Sequence, residues 1–310
     1  MANRLGVLNV SANKRLKINI KVITVRKPLA LLLIKPFILF FILLGCAPEH
    51  NQKVLSADNV PISYHVEGNG NPVLVFVHGW CGDASYWKFQ VPHFSKQHKV
   101  VTIDLAGHGE SGLNRQNWTI EAFGKDVVAV IEKLDLDQVI LIGHSMGGPV
   151  NIEAARQIPK RIIGLVGVDT FQNFEAEYTQ EQVDEILSSF KTDFVEASSN
   201  FVHRMFPPNA NTDSVLVEQI VTDMSSAPSE VGIGALQGYF NFDPIGALRE
   251  VRIPIHCINS DKYPTNVEVG QRHALSFELK LMPGIGHFVM MEDPEKFNQL
   301  LTETVNALSL

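Results

Sequence analysis

Residues 138–147 read Gln138-Val-Ile-Leu-Ile142 followed without a break by Gly143-His144-Ser145-Met146-Gly147, and Met146–Gln157 beyond them has helical spacing that stops before Pro159. An apolar run of this length bounded by glycine is a buried strand, and the segment after it is a helix. A serine at a sharp strand-to-helix turn has its hydroxyl lifted clear of the sheet. The helix that starts at Met146 points backbone N–H groups at any negative charge that develops there. A serine hydroxyl is a poor nucleophile unless a base takes its proton. Ser145 is therefore a candidate nucleophile that needs a partner imidazole. G-x-S-x-G alone arises by chance and can be a mere turn; its place between strand and helix is what gives it weight.

Outward from this stretch the pattern repeats. Lys53–Ala57 and Val60–Val66 flank Asp58-Asn59 as a hairpin, and residues 67–72 form a turn cluster. Val73–Val77, Val100–Ile103, Ile162–Val168, Ile253–Ile258 and Phe277–Leu281 are further apolar strands. Between them, Ile120–Leu134 carries an apolar stripe at helical spacing, and 292–308 closes the chain as a helix. Strands alternating with helices predict an α/β fold, a mostly parallel sheet flanked by helices on both faces. From Thr170 to Phe242 no buried strand appears. Four amphipathic segments fit instead, near 179–190, 193–205, 213–225 and 229–240, the first opening with the capping pair Thr179 and Gln182. The reading is a core of 53–170 and 243–310 with a helical cap, 171–242, inserted after strand 6.

Three more loops carry a resemblance. His78-Gly79-Trp80 follows the strand Val73–Val77, Asp104-Leu-Ala-Gly-His-Gly-Glu-Ser111 follows the strand Val100–Ile103, and Gly284-Ile-Gly-His287-Phe288 precedes the last helix. With Gly143–Gly147 these resemble the α/β-hydrolase family, in its serine-nucleophile esterase and lipase-like branch, over residues 53 to 308. The resemblance implies an oxyanion hole formed by the N–H groups of Trp80 and Met146. It makes His78 and Asp104 loop scaffolding. Among eleven histidines it selects His287 as the base, last in the order nucleophile, acid, histidine. His144 should project away from Ser145. The acid must lie between the two, at the end of a strand. Asp261, after Ile253–Ile258, holds the usual family position; Asp169, after Ile162–Val168, is the second choice, since some relatives move the acid there. Asp243 reads as a helix start.

These parts imply acyl transfer through Ser145, His287 and Asp261 on a small to medium, largely apolar carboxylic ester. Neither metal nor cofactor is called for. Trp80, Phe171, Phe206, Tyr239 and Phe288 are candidate substrate walls, with Met205 and Phe240 beside them. C–C bond hydrolases, lactonases and cofactor-free perhydrolases use the same parts, and some relatives keep them chiefly to sense a ligand with slow turnover. A serine at position 145 excludes the dehalogenase and epoxide-hydrolase branches, which place Asp there.

Residues 1–45 carry eight basic and no acidic side chains, while the whole chain is −7, leaving −15 for residues 46–310. So acidic a body argues against nucleic acid as a partner. The basic stretch runs into the apolar segment 28–45 and then Cys46, a layout that resembles a bacterial lipoprotein signal. Acylation of Cys46 would anchor the exported protein to a membrane by its lipid, with 46–52 as a tether. Cys46, Cys81 and Cys257 suggest neither a disulfide framework nor a zinc site.

Overall fold

The strands at the centre are apolar on both faces, and the structure covers both faces. β3 (Val73–Val77), β4 (Val100–Ile103) and β5 (Val139–His144) are buried along their whole length, and β6 (Ile162–Val168) all but so. The computed structural model describes residues 52–208 and 212–310. Residues 1–45, expected to be a signal, Cys46 and the expected tether up to residue 51 lie outside the described residues. Among the described residues no helix is long and apolar enough to cross a membrane.

β1 (Gln52–Leu55) and β2 (Pro61–Glu67) form the expected hairpin at one edge, turning through Asn59 at φ 65°. β7 (Pro254–Ser260) and β8 (Ser276–Met282) close the other edge, giving the order β1-β2-β4-β3-β5-β6-β7-β8. β1·β2 and β2·β4 pair antiparallel and every other pair is parallel. The carboxyl ends of β3, β5, β6 and β7 therefore share one rim. In open α/β sheets that rim is where ligands bind.

Helices α1 (Val91–Phe94), α2 (Ile120–Lys133) and α3 (Gly147–Gln157) connect the first half of the sheet. The cap follows β6 as α4 (Gln180–Thr192), α5 (Phe194–His203), α6 (Ser214–Ser225) and α7 (Ser229–Asn241). Thr179 and Gln182 make both bonds of the capping box expected at α4. Asp243 caps α8 (Pro244–Val251), accepting from Gly246 N–H at 2.9 Å. α9 (Val267–His273), α10 (Val289–Glu292) and α11 (Pro294–Leu308) complete the chain; the closing helix expected from 292 starts at Pro294, capped by Asp293, with the short α10 before it.

One buried ion pair locks the hairpin to the core. Asp126 of α2 is wholly buried and accepts from both terminal nitrogens of Arg115, at 2.9 and 2.6 Å, from Ser56 Oγ and from Ala106 N–H. Arg115 also donates to Asp58 of the hairpin turn at 2.7 and 3.1 Å, so it is removal of Arg115 that strands a charge, Asp126, in the interior, at a cost of about 3–5 kcal/mol.

Candidate active site

The turn after β5 has the strain its sequence implies. Ser145 sits at φ 51°, in the left-handed region that side chains avoid. Its N–H donates to Val168 O at 3.0 Å and its carbonyl accepts from Gly148 N–H at 2.9 Å. Both flanking glycines are obligatory for space. A Cβ on Gly143 would lie 2.6 Å from the Asn151 side chain, and one on Gly147 would lie 2.6 Å from the Val77 carbonyl.

His287 and Ser145 line the same cavity. The carboxylate beside His287 is Asp169, not Asp261: His287 Nδ1 lies 2.5 Å from Asp169 Oδ2. Asp169 is the first residue past β6, turned to φ 44°. It is 1% exposed, and its other oxygen accepts from Ser260 N–H at 2.7 Å and Ser260 Oγ at 2.9 Å. Asn259 locks the residue after it, accepting from Thr170 N–H and donating to Thr170 O. The expected role of Asp261 is thus corrected. Strand β7 spends its last residue, Ser260, on holding Asp169. Asp261 falls one position further, on an exposed turn, and accepts instead from Gly284 N–H at 2.9 Å. It supports the loop that bears the imidazole.

That loop has other supports which the sequence did not announce. Glu292 accepts from Gly286 N–H (2.9 Å) and Phe288 N–H (3.0 Å), the amides on either side of His287, and from Thr212 Oγ1 of the cap at 2.8 Å. His287 N–H donates to the Met205 carbonyl, also in the cap, at 3.2 Å. His144 Nε2–H donates to the His287 carbonyl at 3.0 Å, its ring 4.6 Å from that of His287. Burial, and then the nearby His287, hold the His144 imidazole far below its ordinary pKa, so it is neutral with its proton on Nε2. A Glu four residues into the segment after the loop was the one available signal for Glu292.

Neither Trp80 N–H nor Met146 N–H donates to another protein group among the described residues, as an oxyanion hole requires. His78 acts as scaffold: Nδ1–H donates to Gly79 O at 2.8 Å and Nε2 accepts from Leu105 N–H at 3.0 Å. Asp104 is likewise scaffold, accepting from Ala84 N–H and Glu110 N–H. The Trp80 indole N–H donates to Gly232 O of α7 at 2.7 Å, and the ring meets Phe190, Phe194 and Phe201 edge-on.

The cavity holds about 700 Å³ between the rim and the cap. Trp80, Phe171, Tyr239, Phe288, Met205 and Phe240 line it. Phe206, expected among the walls, does not; its ring stacks behind Phe288 at 5.6 Å. Cys81 and Cys257 are buried, and burial pushes both thiols up. Among the described residues no group of three or more His, Cys, Asp or Glu is placed to hold a metal.

Residues 72–233 match the family model described as alpha/beta hydrolase fold. The chain belongs to this family. Among curated proteins, this α/β-hydrolase-fold chain is 25% identical over 256 residues to 3-oxoadipate enol-lactonase 2 of Acinetobacter baylyi, covering 80% of the chain and 94% of that protein. It is 25% identical over 223 residues to the karrikin insensitive 2 receptor CA of Petunia hybrida, covering 69% and 77%. It is 27% identical over 256 residues (76% of the chain) to the dihydrolipoyllysine-residue acetyltransferase component of the acetoin cleaving system of Pseudomonas putida, and spans only 64% of that protein's length. A thermophilic esterase from Thermogutta terrifontis superposes with a TM-score of 0.72 at 23% identity, covering 84% of the chain and 99% of that structure, a likeness of fold.

Proposed function

We propose that this α/β hydrolase cleaves a small to medium, largely apolar carboxylic ester by acyl transfer through Ser145, with His287 as base and Asp169 as the acid that orients it. The contact between Asp169 Oδ2 and His287 Nδ1 carries the proposal. It fixes the proton on Nδ1 and leaves Nε2 free to accept one. In the first step Nε2 takes the Ser145 proton as Oγ bonds to the substrate carbonyl carbon. The carbonyl electrons move to oxygen, where the Trp80 and Met146 N–H groups receive them. Collapse expels the alcohol, which takes the proton from His287. Water then attacks the acyl-serine, its proton passing to Nε2, and Ser145 leaves with that proton as the acid departs.

The aromatic walls supply apolar burial for the acyl or alcohol group. A lactone is an internal ester and falls under the same reading, in keeping with the similarity to an enol-lactonase. The test is Ser145→Ala on p-nitrophenyl acetate and butyrate, with loss of about 10⁴–10⁶ in turnover expected when the three groups act as a unit. Undiminished hydrolysis by that variant refutes the assignment. Sustained turnover by the native protein separates the hydrolase from a ligand sensor, in which cycling is slow.

A further inference from the structure

The acidic and basic side chains that line the cavity are Asp169, His144, His287 and Arg204. The first three are engaged with one another or with backbone. Arg204 is not. It is the residue after α5, exposed, and therefore stands at the cavity's mouth. Its backbone is fixed close to the triad, because the next residue, Met205, accepts the His287 N–H at 3.2 Å. Its guanidinium carbon lies 5.9 Å from the centroid of Phe201, another cavity wall. Tyr263 lines the same cavity. Lys262, outside the lining, has its Nζ 3.4 Å from Phe206 O and 5.3 Å from the Tyr263 ring centroid.

Among the described residues no carboxylate pairs with either cation, Arg204 or Lys262. The acidic groups near the mouth are spoken for: Asp169 by His287 and Ser260, Asp261 by Gly284 N–H, and Glu292 by Gly286, Phe288 and Thr212. The setting is a chain whose residues 46–310 carry −15. So acidic a body repels anions at long range, so recognition of one has to come from a local cation at the cavity itself, which Arg204 supplies. A guanidinium fork pairs with a carboxylate through two parallel hydrogen bonds.

Resting on the acyl-transfer reading above, we infer that the substrate carries a free carboxylate, held by Arg204 while the ester carbonyl at the far end of an apolar chain reaches Ser145. The substrate class is the monoester of a dicarboxylic acid, or the lactone of a dicarboxylic acid that also carries a hydroxyl or enol group.

The experiment compares monomethyl with dimethyl esters of succinate, glutarate, adipate and suberate at neutral pH, by pH-stat. Each pair differs only in the distal carboxylate. At the chain length that spans the site, the native enzyme prefers the monoester by about tenfold or more in kcat/KM, through KM, and the preference weakens with salt. Arg204→Gln brings that ratio to about one, while Arg204→Lys retains part of it. A second readout needs no turnover: the free dicarboxylate of matching length raises Tm of the native protein and not of Arg204→Gln. Equal rates on both ester series, or a preference that survives Arg204→Gln, overturns the inference and leaves the acyl-transfer reading standing. If neither series is cleaved, that reading fails, and the Tm comparison alone decides whether Arg204 binds a carboxylate.

Discussion

Replacing Asp169 by Asn separates the two candidate acids because of how Ser260 is placed. Ser260 offers two donors, N–H and Oγ–H, to one carboxylate oxygen at 2.7 and 2.9 Å. An Asn at 169 turns its only carbonyl oxygen toward those donors, and its NH₂ then faces His287 Nδ1. An NH₂ can only donate, so Nδ1 must give up its proton and Nε2 must take it. The imidazole is left in the tautomer that cannot accept the Ser145 proton. The expected loss is about 10³–10⁴ in kcat, or about 4–5.5 kcal/mol of barrier, with little change in KM. Asp261→Asn keeps a carbonyl oxygen for the exposed Gly284 N–H. It forfeits no more than about 1 kcal/mol, within about fivefold in rate. The assay is steady-state hydrolysis of p-nitrophenyl butyrate, with circular dichroism to confirm folding. An Asp169→Asn enzyme within tenfold of native, or a thousandfold loss in Asp261→Asn, would show that the tautomer argument is wrong.

Other outcomes rest on the same geometry. Glu292→Ala frees the amides that flank His287 and lowers kcat by about 10², since a displacement near 1 Å at a reacting group costs that much; burst kinetics show whether acylation is the slowed step, and an unaltered kcat would reduce Glu292 to a surface cap. Trp80→Phe keeps the backbone donor but leaves Gly232 O without the indole N–H, costing about 1–3 kcal/mol; thermal unfolding should move down by several degrees, and an unchanged Tm would show that the bond contributes nothing. His78, His108 and His144 are buried with pKa values pushed down, that of His108 to about 3, chiefly by burial. The unfolded chain takes up protons near pH 6.5 that the fold refuses, so stability should fall as pH drops below about 6.5, by up to about 1.4 kcal/mol per pH unit per group; equal urea midpoints at pH 7.5 and 5.5 would contradict this.

The fold was legible because its strands are uninterrupted apolar runs that only a doubly covered sheet can bury. The cap was legible too, since four helical stripes in succession leave no room for a strand. The acid was not. Asp169 and Asp261 each follow a parallel apolar strand, and position along the chain does not separate them. What separates them is a contact between strand ends: Ser260 donates sideways to Asp169, and no local pattern records which neighbour a terminal serine faces. Phe206 was misjudged for a similar reason, since an aromatic beside the histidine loop can line the cavity or back another ring. The bond from His144 to the His287 carbonyl depends on how two distant loops meet.

In the proposed mechanism Trp80 contributes its peptide to one task, while its indole serves another, the tie to the cap. The lid is therefore not an exchangeable module. Grafting a relative's helices onto this sheet would remove the Gly232 carbonyl that receives the indole, and the amide meant to polarise the substrate would drift with the unmoored ring. Altering what the enzyme accepts by redesigning its lid must begin by keeping that single tie.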